Sequence, residues 1–172
     1  MYKKIFTILF FSLIINSSLL ADLPRYLDFK YVLNESEAGK KAQNQLKKKF
    51  DNGVKDLNKK EKSIQEEEKK IIQQKKIISQ DEYKKKVSEL RKSFADLQKK
   101  RKDLLNTVSR QRAKARTELL KNLNPVVKEY MVKNKIRMVI DKKELILADE
   151  KLDITKDITD ALNAKIKTLK LD

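Results

Sequence analysis

Between residues 40 and 121 apolar side chains are sparse but regularly placed. Phe50, Leu57, Ile64, Ile71 and Ile78 recur at every seventh position, and nearly everything between them is polar or charged. A seven-residue repeat keeps one stripe of a helix against a partner. From Tyr83 onward the spacing becomes three and four, through Tyr83, Val87, Leu90, Phe94, Leu97, Leu104 and Val108, interrupted only by Arg101. Between the two patterns, Ser79-Gln80-Asp81-Glu82 has the S-x-x-E form of a capping box, which ends one helix and starts another. The pattern predicts a helix from about Glu37 to Ile78, capped by Ser36, and a second helix running back as its antiparallel neighbour. Gly53 lies inside the first helix and costs it only about 1 kcal/mol against Ala.

Folding the chain about Ser79–Asp81 pairs positions whose numbers sum to 161: Ile78 with Tyr83, Ile71 with Leu90, Ile64 with Leu97 and Leu57 with Leu104. The adjoining row sums to 162 and sets Glu61 against Arg101. An ion pair is expected there, fixing the register of the two helices.

The flanking segments have a different texture. Leu23 to Leu33 is rich in aromatic and branched residues and predicts a short strand followed by a helical turn. Ile136 to Asp141 and Leu145 to Asp149 are branched runs separated by Lys142-Lys143-Glu144, which predicts a hairpin of strands. Ile158, Leu162, Ile166 and Leu169 fall on one helical face, and Pro125 predicts a kink or a restart in the second long helix. The expected fold is therefore α+β and mainly helical. It is a single domain, 22–172, with a helical-hairpin arm at about 40–121, its tip near 79–82, and a body made of 22–39 and 122–172. Three short strands are too few to stand alone in water, so the body is expected to oligomerise through Tyr26, Leu27, Ile136, Met138, Ile140, Leu145 and Leu147.

Charge sharpens this division. The chain of 172 residues carries a formal net charge of +17 and has two Gly, two Pro and no Cys, His or Trp. Residues 40–121 hold 27 Lys and Arg against 12 Asp and Glu, a net +15, while the proposed body holds 13 of each. A basic arm beside a neutral body attracts anionic partners over distance. The candidate contacts are Lys59, Lys60, Lys69, Lys70, Lys84, Lys85, Lys86, Lys99 and Lys100.

Catalysis is not expected. Without His or Cys the chain lacks the usual acid–base group near neutral pH and the thiolate nucleophile, and disulfides and thiolate metal sites are excluded. The run Glu66-Glu67-Glu68 is flanked by lysine on a solvated face. Gly39-Lys40 fails as a phosphate loop because Asn34 and Lys41 stand where Gly and Ser or Thr are required. No cofactor or metal site is anticipated.

The first residues carry an address. Lys3 and Lys4 precede an apolar run from Ile5 to Ile15 that is too short to span a membrane, followed by small and polar residues up to Ala21. A cleavable secretory signal, residues 1–21, is expected, leaving an exported soluble chain. The absence of Cys excludes a lipoprotein anchor.

Taken in order, Tyr26-Leu27-Asp28, Ser36-x-Ala38-Gly39-Lys40, the basic hairpin with its S-x-x-E tip, the two branched runs and Asp157-Ile158-Thr159 resemble the Skp family of periplasmic chaperones, also called OmpH. The resemblance spans about Tyr26 to Ile166. It implies a homotrimer in which short strands build a central body and three helical arms surround a cavity. It implies further that unfolded outer-membrane proteins are held there without ATP on their way to the outer membrane. Anionic lipid or lipopolysaccharide contact is compatible with the arm's charge. Two rivals remain: a structural envelope coiled coil resting on anionic lipid, and a nucleic-acid binder. An export signal and the few aromatics of the arm, Phe50, Tyr83 and Phe94, oppose the second rival.

Overall fold

A computed structural model describes residues 23–171; the expected signal segment, 1–21, lies outside them. The described chain divides into two compact units. One combines the residues up to Gly39 with Glu118–Thr168, and the other combines Lys40–Thr117 with the residues from Leu169 onward.

In the first unit, strand β1 (Arg25–Leu27) pairs in parallel with β2 (Val139–Asp141), Tyr26 lying opposite Ile140. Arg25 N–H donates to the Met138 carbonyl at 3.0 Å. On the other side of Tyr26, Ile154 N–H donates to its carbonyl at 2.9 Å and Asp153 forms a parallel bridge. The expected strand hairpin is absent. Leu145–Asp149 is not a strand, and β2 takes its partner from the opposite end of the described chain. The cause is local aspartate chemistry. Asp141, Asp149 and Asp153 each accept a hydrogen bond from the backbone N–H two residues on, at Lys143, Lys151 and Thr155. Such turns start the 3₁₀ segments Lys142–Glu144 and Glu150–Leu152 and bend the chain out of any ladder.

Helix α1 (Phe29–Glu35) begins where the Asp28 carboxylate receives the Tyr31 N–H at 2.8 Å. It ends where Ser36 N–H donates to the Val32 carbonyl. Ser36 is buried, and its hydroxyl then accepts from Gly39 N–H at 3.3 Å, opening α2 (Glu37–Gln74). A second orphan donor of α2, the Glu37 N–H, is satisfied by the Asn163 side chain at 2.8 Å. Asn163 belongs to α4 (Thr155–Lys165), which packs on α1 and β1 through fully buried Ile158 and Leu162. Tyr26, Leu27, Val32, Ala38, Leu119, Leu123, Val126 and Ile154 are the other buried apolar residues of this unit, with Thr155 and Thr159 buried beside them. Two expectations change here. Helix α4 stops at Lys165, so Ile166 and Leu169 lie beyond it, and α3 (Gln80–Lys133) runs through Pro125 without a restart. One lost backbone bond at Pro125 is tolerated because Leu123 and Val126 on either side are buried.

Helix α3 ends in a Schellman motif. Ile136 N–H reaches back to the Met131 carbonyl at 2.9 Å and Lys135 N–H to that of Val132 at 3.3 Å. Lys135 takes the left-handed position with φ 55°, where glycine is usual.

The second unit is a hairpin of α2 and α3. Helix α2 stops at Gln74, four residues short of the Ile78 expected, and a turn carries the chain to Ser79, whose hydroxyl accepts from Glu82 N–H at 3.2 Å. At the opposite end, Ala42, Leu46 and Ala115 form an apolar cluster with Leu169 and Leu171.

Candidate functional site

The hairpin surface is where sequence and charge converge, and its seam is thin. Ile64, Ile71 and Leu97 are buried; Leu57, Ile78, Tyr83, Leu90 and Leu104 are half-buried; Phe50 is exposed. Contacts across the hairpin run antiparallel. Leu104 lies over Gly53 so closely that a Cβ built on the glycine would stand 2.6 Å from the leucine Cδ1. An Arg101 Nη donates to a Glu61 Oε at 3.3 Å, both side chains being about two-fifths exposed. Near the turn, Lys86 Nζ donates to Gln74 Oε1 at 2.8 Å, and the Lys75 ammonium lies 5.8 Å from the Tyr83 ring centre.

Adjacent apolar pairs explain what the seam cannot hold. A stripe one residue wide buries one member of a doublet and turns the other outward. Ile71 is buried but Ile72 is 61% exposed; Ile78 is half-buried but Ile77 is 82% exposed; Leu104 is half-buried but Leu105 is 54% exposed. Phe94 is exposed as well. Ile72, Ile77 and Leu105 escape a heptad reading because it counts only seam positions. The doublets Ile71-Ile72, Ile77-Ile78 and Leu104-Leu105 were the available signal.

Exposed cations are interspersed with these groups along both helices. Lys59, Lys60, Lys69, Lys70, Lys84, Lys85 and Lys99 are exposed, as is Lys100, which pairs with Asp96 at 2.8 Å and holds that carboxyl below its ordinary range by hydrogen bonding. Lys86 is half-buried and also lies 3.7 Å from Glu82. Such a surface can make many shallow contacts, each partly apolar and partly ionic. Among the described residues no group of His, Cys, Asp and Glu is placed to hold a metal ion, and no helix is long and apolar enough to cross a membrane.

In the other unit, the seven residues expected to form an oligomer core separate. Tyr26 and Leu27 are buried in the single chain; Ile136, Ile140 and Leu145 are half-buried; Met138 and Leu147 are exposed. Ile146, absent from the expected set, is fully exposed beside Leu147.

Comparison with known proteins agrees with this architecture. A crystal structure from Caulobacter crescentus CB15, of a protein described as a candidate outer membrane chaperone (OmpH-like), superposes with a TM-score of 0.81 at 24% identity, covering 87% of this chain and 90% of that one. Among curated proteins no sequence matches. The sequence profile of the family described as outer membrane protein (OmpH-like) matches residues 25–162. On that match, which takes in β1, both long helices and most of α4, the chain belongs to the OmpH-like family.

Proposed function

We propose that this protein is an ATP-independent chaperone of the periplasm that holds unfolded outer-membrane proteins and prevents their aggregation in transit to the outer membrane. The observation that carries the reading is the outward-facing set Ile72, Ile77, Phe94 and Leu105 among exposed lysines. An unfolded chain must be gripped at many places, each weakly enough to let go without an energy source. A surface of scattered apolar groups in a cationic field does this, whereas an enclosed pocket would select one ligand. Family membership supports the same reading, and so does the description of the Caulobacter protein. The working unit is a homotrimer. Its subunits meet through Met138, Ile146 and Leu147, which are exposed in one chain, and its basic hairpins enclose the client. Anionic lipid or lipopolysaccharide would compete for the same lysines.

The test is suppression of aggregation of a urea-unfolded outer-membrane barrel on dilution. The intact protein suppresses it, and replacing Ile72, Ile77 and Leu105 together by Ser weakens client binding about tenfold or more, since each replacement removes an exposed apolar contact. Full protection by that triple variant would refute the reading, and absence of protection by the intact protein would favour a structural spacer.

A further inference from the structure

After α4 ends at Lys165 the chain runs on without helix or strand, yet it does not remain solvated. Leu171 is buried and Leu169 partly buried, both against Ala42 and Leu46 of α2 and Ala115 of α3, while Lys170 between them is exposed. The chemistry of the groove is specific. Ala42 and Leu46 are one helical turn apart and share a face of α2, and the small side chains of Ala42 and Ala115 leave room above Leu46. Burial alternates along the segment, with Leu169 and Leu171 covered and Lys170 exposed, as it does when residues two apart face the same way. The segment touches both helices of the hairpin at the end opposite the Ser79 turn.

We propose that Leu169–Leu171 is a releasable clasp that joins the two helices of the hairpin at this end. The turn joins the helices covalently at one end, the clasp adds two side chains across them near the other, and between them lies the thin seam. Because the hold consists of side-chain packing by an irregular segment, the clasp opens without unfolding either helix. Opening bares the Ala42, Leu46 and Ala115 strip and loosens the packing of α2 against α3 there. The inference does not depend on the identity of any client.

The chain has no cysteine, so a single Ala42→Cys substitution reports on the groove without background. In the full chain carrying Ala42→Cys, a thiol reagent reacts slowly while the clasp is seated. Adding Leu169→Ser and Leu171→Ser raises the labelling rate about tenfold, a change expected on losing the cover of two leucines. In the same pair of proteins, hydrogen exchange quickens in residues 41–49 and 111–117 but not around the turn, residues 72–86, or in residues 119–126. Equal labelling rates with and without the leucines would overturn the proposal. So would a loss of helix content or a uniform rise in exchange, since a clasp leaves the hairpin folded when it is released.

Discussion

Single atoms decide several features of this fold. Gly39 sits in the first turn of α2, and a Cβ there would fall 2.1 Å from the Leu33 carbonyl oxygen. That neighbour is backbone closing α1, so it cannot rotate aside as a side chain would. Gly39→Ala should therefore lower stability by about 2–3 kcal/mol despite the better helix propensity of alanine, as a chemical denaturation midpoint would show. An unchanged midpoint would mean that α1 and α2 shift apart cheaply. Tyr130 is a second case. Its hydroxyl donates to the Asp157 carboxylate, and burial, with that hydrogen bond and that charge, pushes its pKa up to about 12 from 10.0. A group whose folded pKa is raised contributes fully below its unfolded pKa and loses the contribution as pH rises through the folded one. Wild type should then exceed Tyr130→Phe by about 1 kcal/mol at neutral pH, with a gap that holds up to about pH 10 and is lost as pH rises from there. A gap that stays flat through that range would show that the hydroxyl proton is not what Asp157 holds.

At the scale of elements, the long helices were legible because one physical rule, apolar periodicity, governs them over many residues. The S-x-x-E signal marked the start of α3, and Ser79 does cap it. The end of α2 at Gln74 was misread because Ile78 continues the heptad beyond the hydrogen-bonded helix. The segments after α3 were harder. Branched runs at Ile136–Asp141 and Leu145–Asp149 say strand, but the aspartates at 141, 149 and 153 turn the chain, and their signal is a single side chain each. Parallel pairing of β1 with β2 has no local trace at all, because the two strands lie at opposite ends of the described chain. Of the candidate surface, the lysines other than Lys86 and the seam other than Phe50 have the exposure their positions in the sequence suggest, whereas Ile72, Ile77 and Leu105 could not be read off until the width of the stripe was known. The Glu61–Arg101 pair allows a test of register. Exposed as it is, it should contribute only about 0–1 kcal/mol of coupling in a double-mutant cycle with Glu61→Gln and Arg101→Gln. Its larger effect would be on alignment. Two cysteines placed across the seam, at Ile64 and Leu97, should crosslink efficiently in the otherwise unaltered chain and about as well with Glu61→Gln or Arg101→Gln, but less efficiently when Arg101→Glu sets two glutamates against each other. Equal crosslinking with two glutamates would reduce the pair to surface decoration.

For the whole molecule, the governing fact is the uneven distribution of charge. Residues 40–121 carry a net +15 of the total +17. Charge of one sign concentrated on one unit raises the local concentration of anionic partners and speeds their encounter, but exposed charges are screened beyond about 8 Å at physiological salt. If the hairpin captures unfolded chains in this way, the association rate should fall several-fold as salt rises from about 0.05 to 0.5 M, while dissociation changes less, because apolar contacts at Ile72, Ile77, Phe94 and Leu105 are insensitive to screening. The structure shows which lysines to alter. Lys86 is unsuitable because it bridges to Gln74, and Lys100 because it pairs with Asp96. Lys69, Lys70, Lys84 and Lys85 are exposed and can be changed with little effect on folding. Replacing these four by Gln should slow capture at low salt and flatten its salt dependence, with the aggregation-suppression endpoint largely kept if client is added slowly. Stopped-flow association with a labelled unfolded barrel measures both. Rates that ignore salt and the four substitutions alike would transfer the attraction wholly to the exposed apolar residues, and the basic surface would then have to be explained by a different anionic partner.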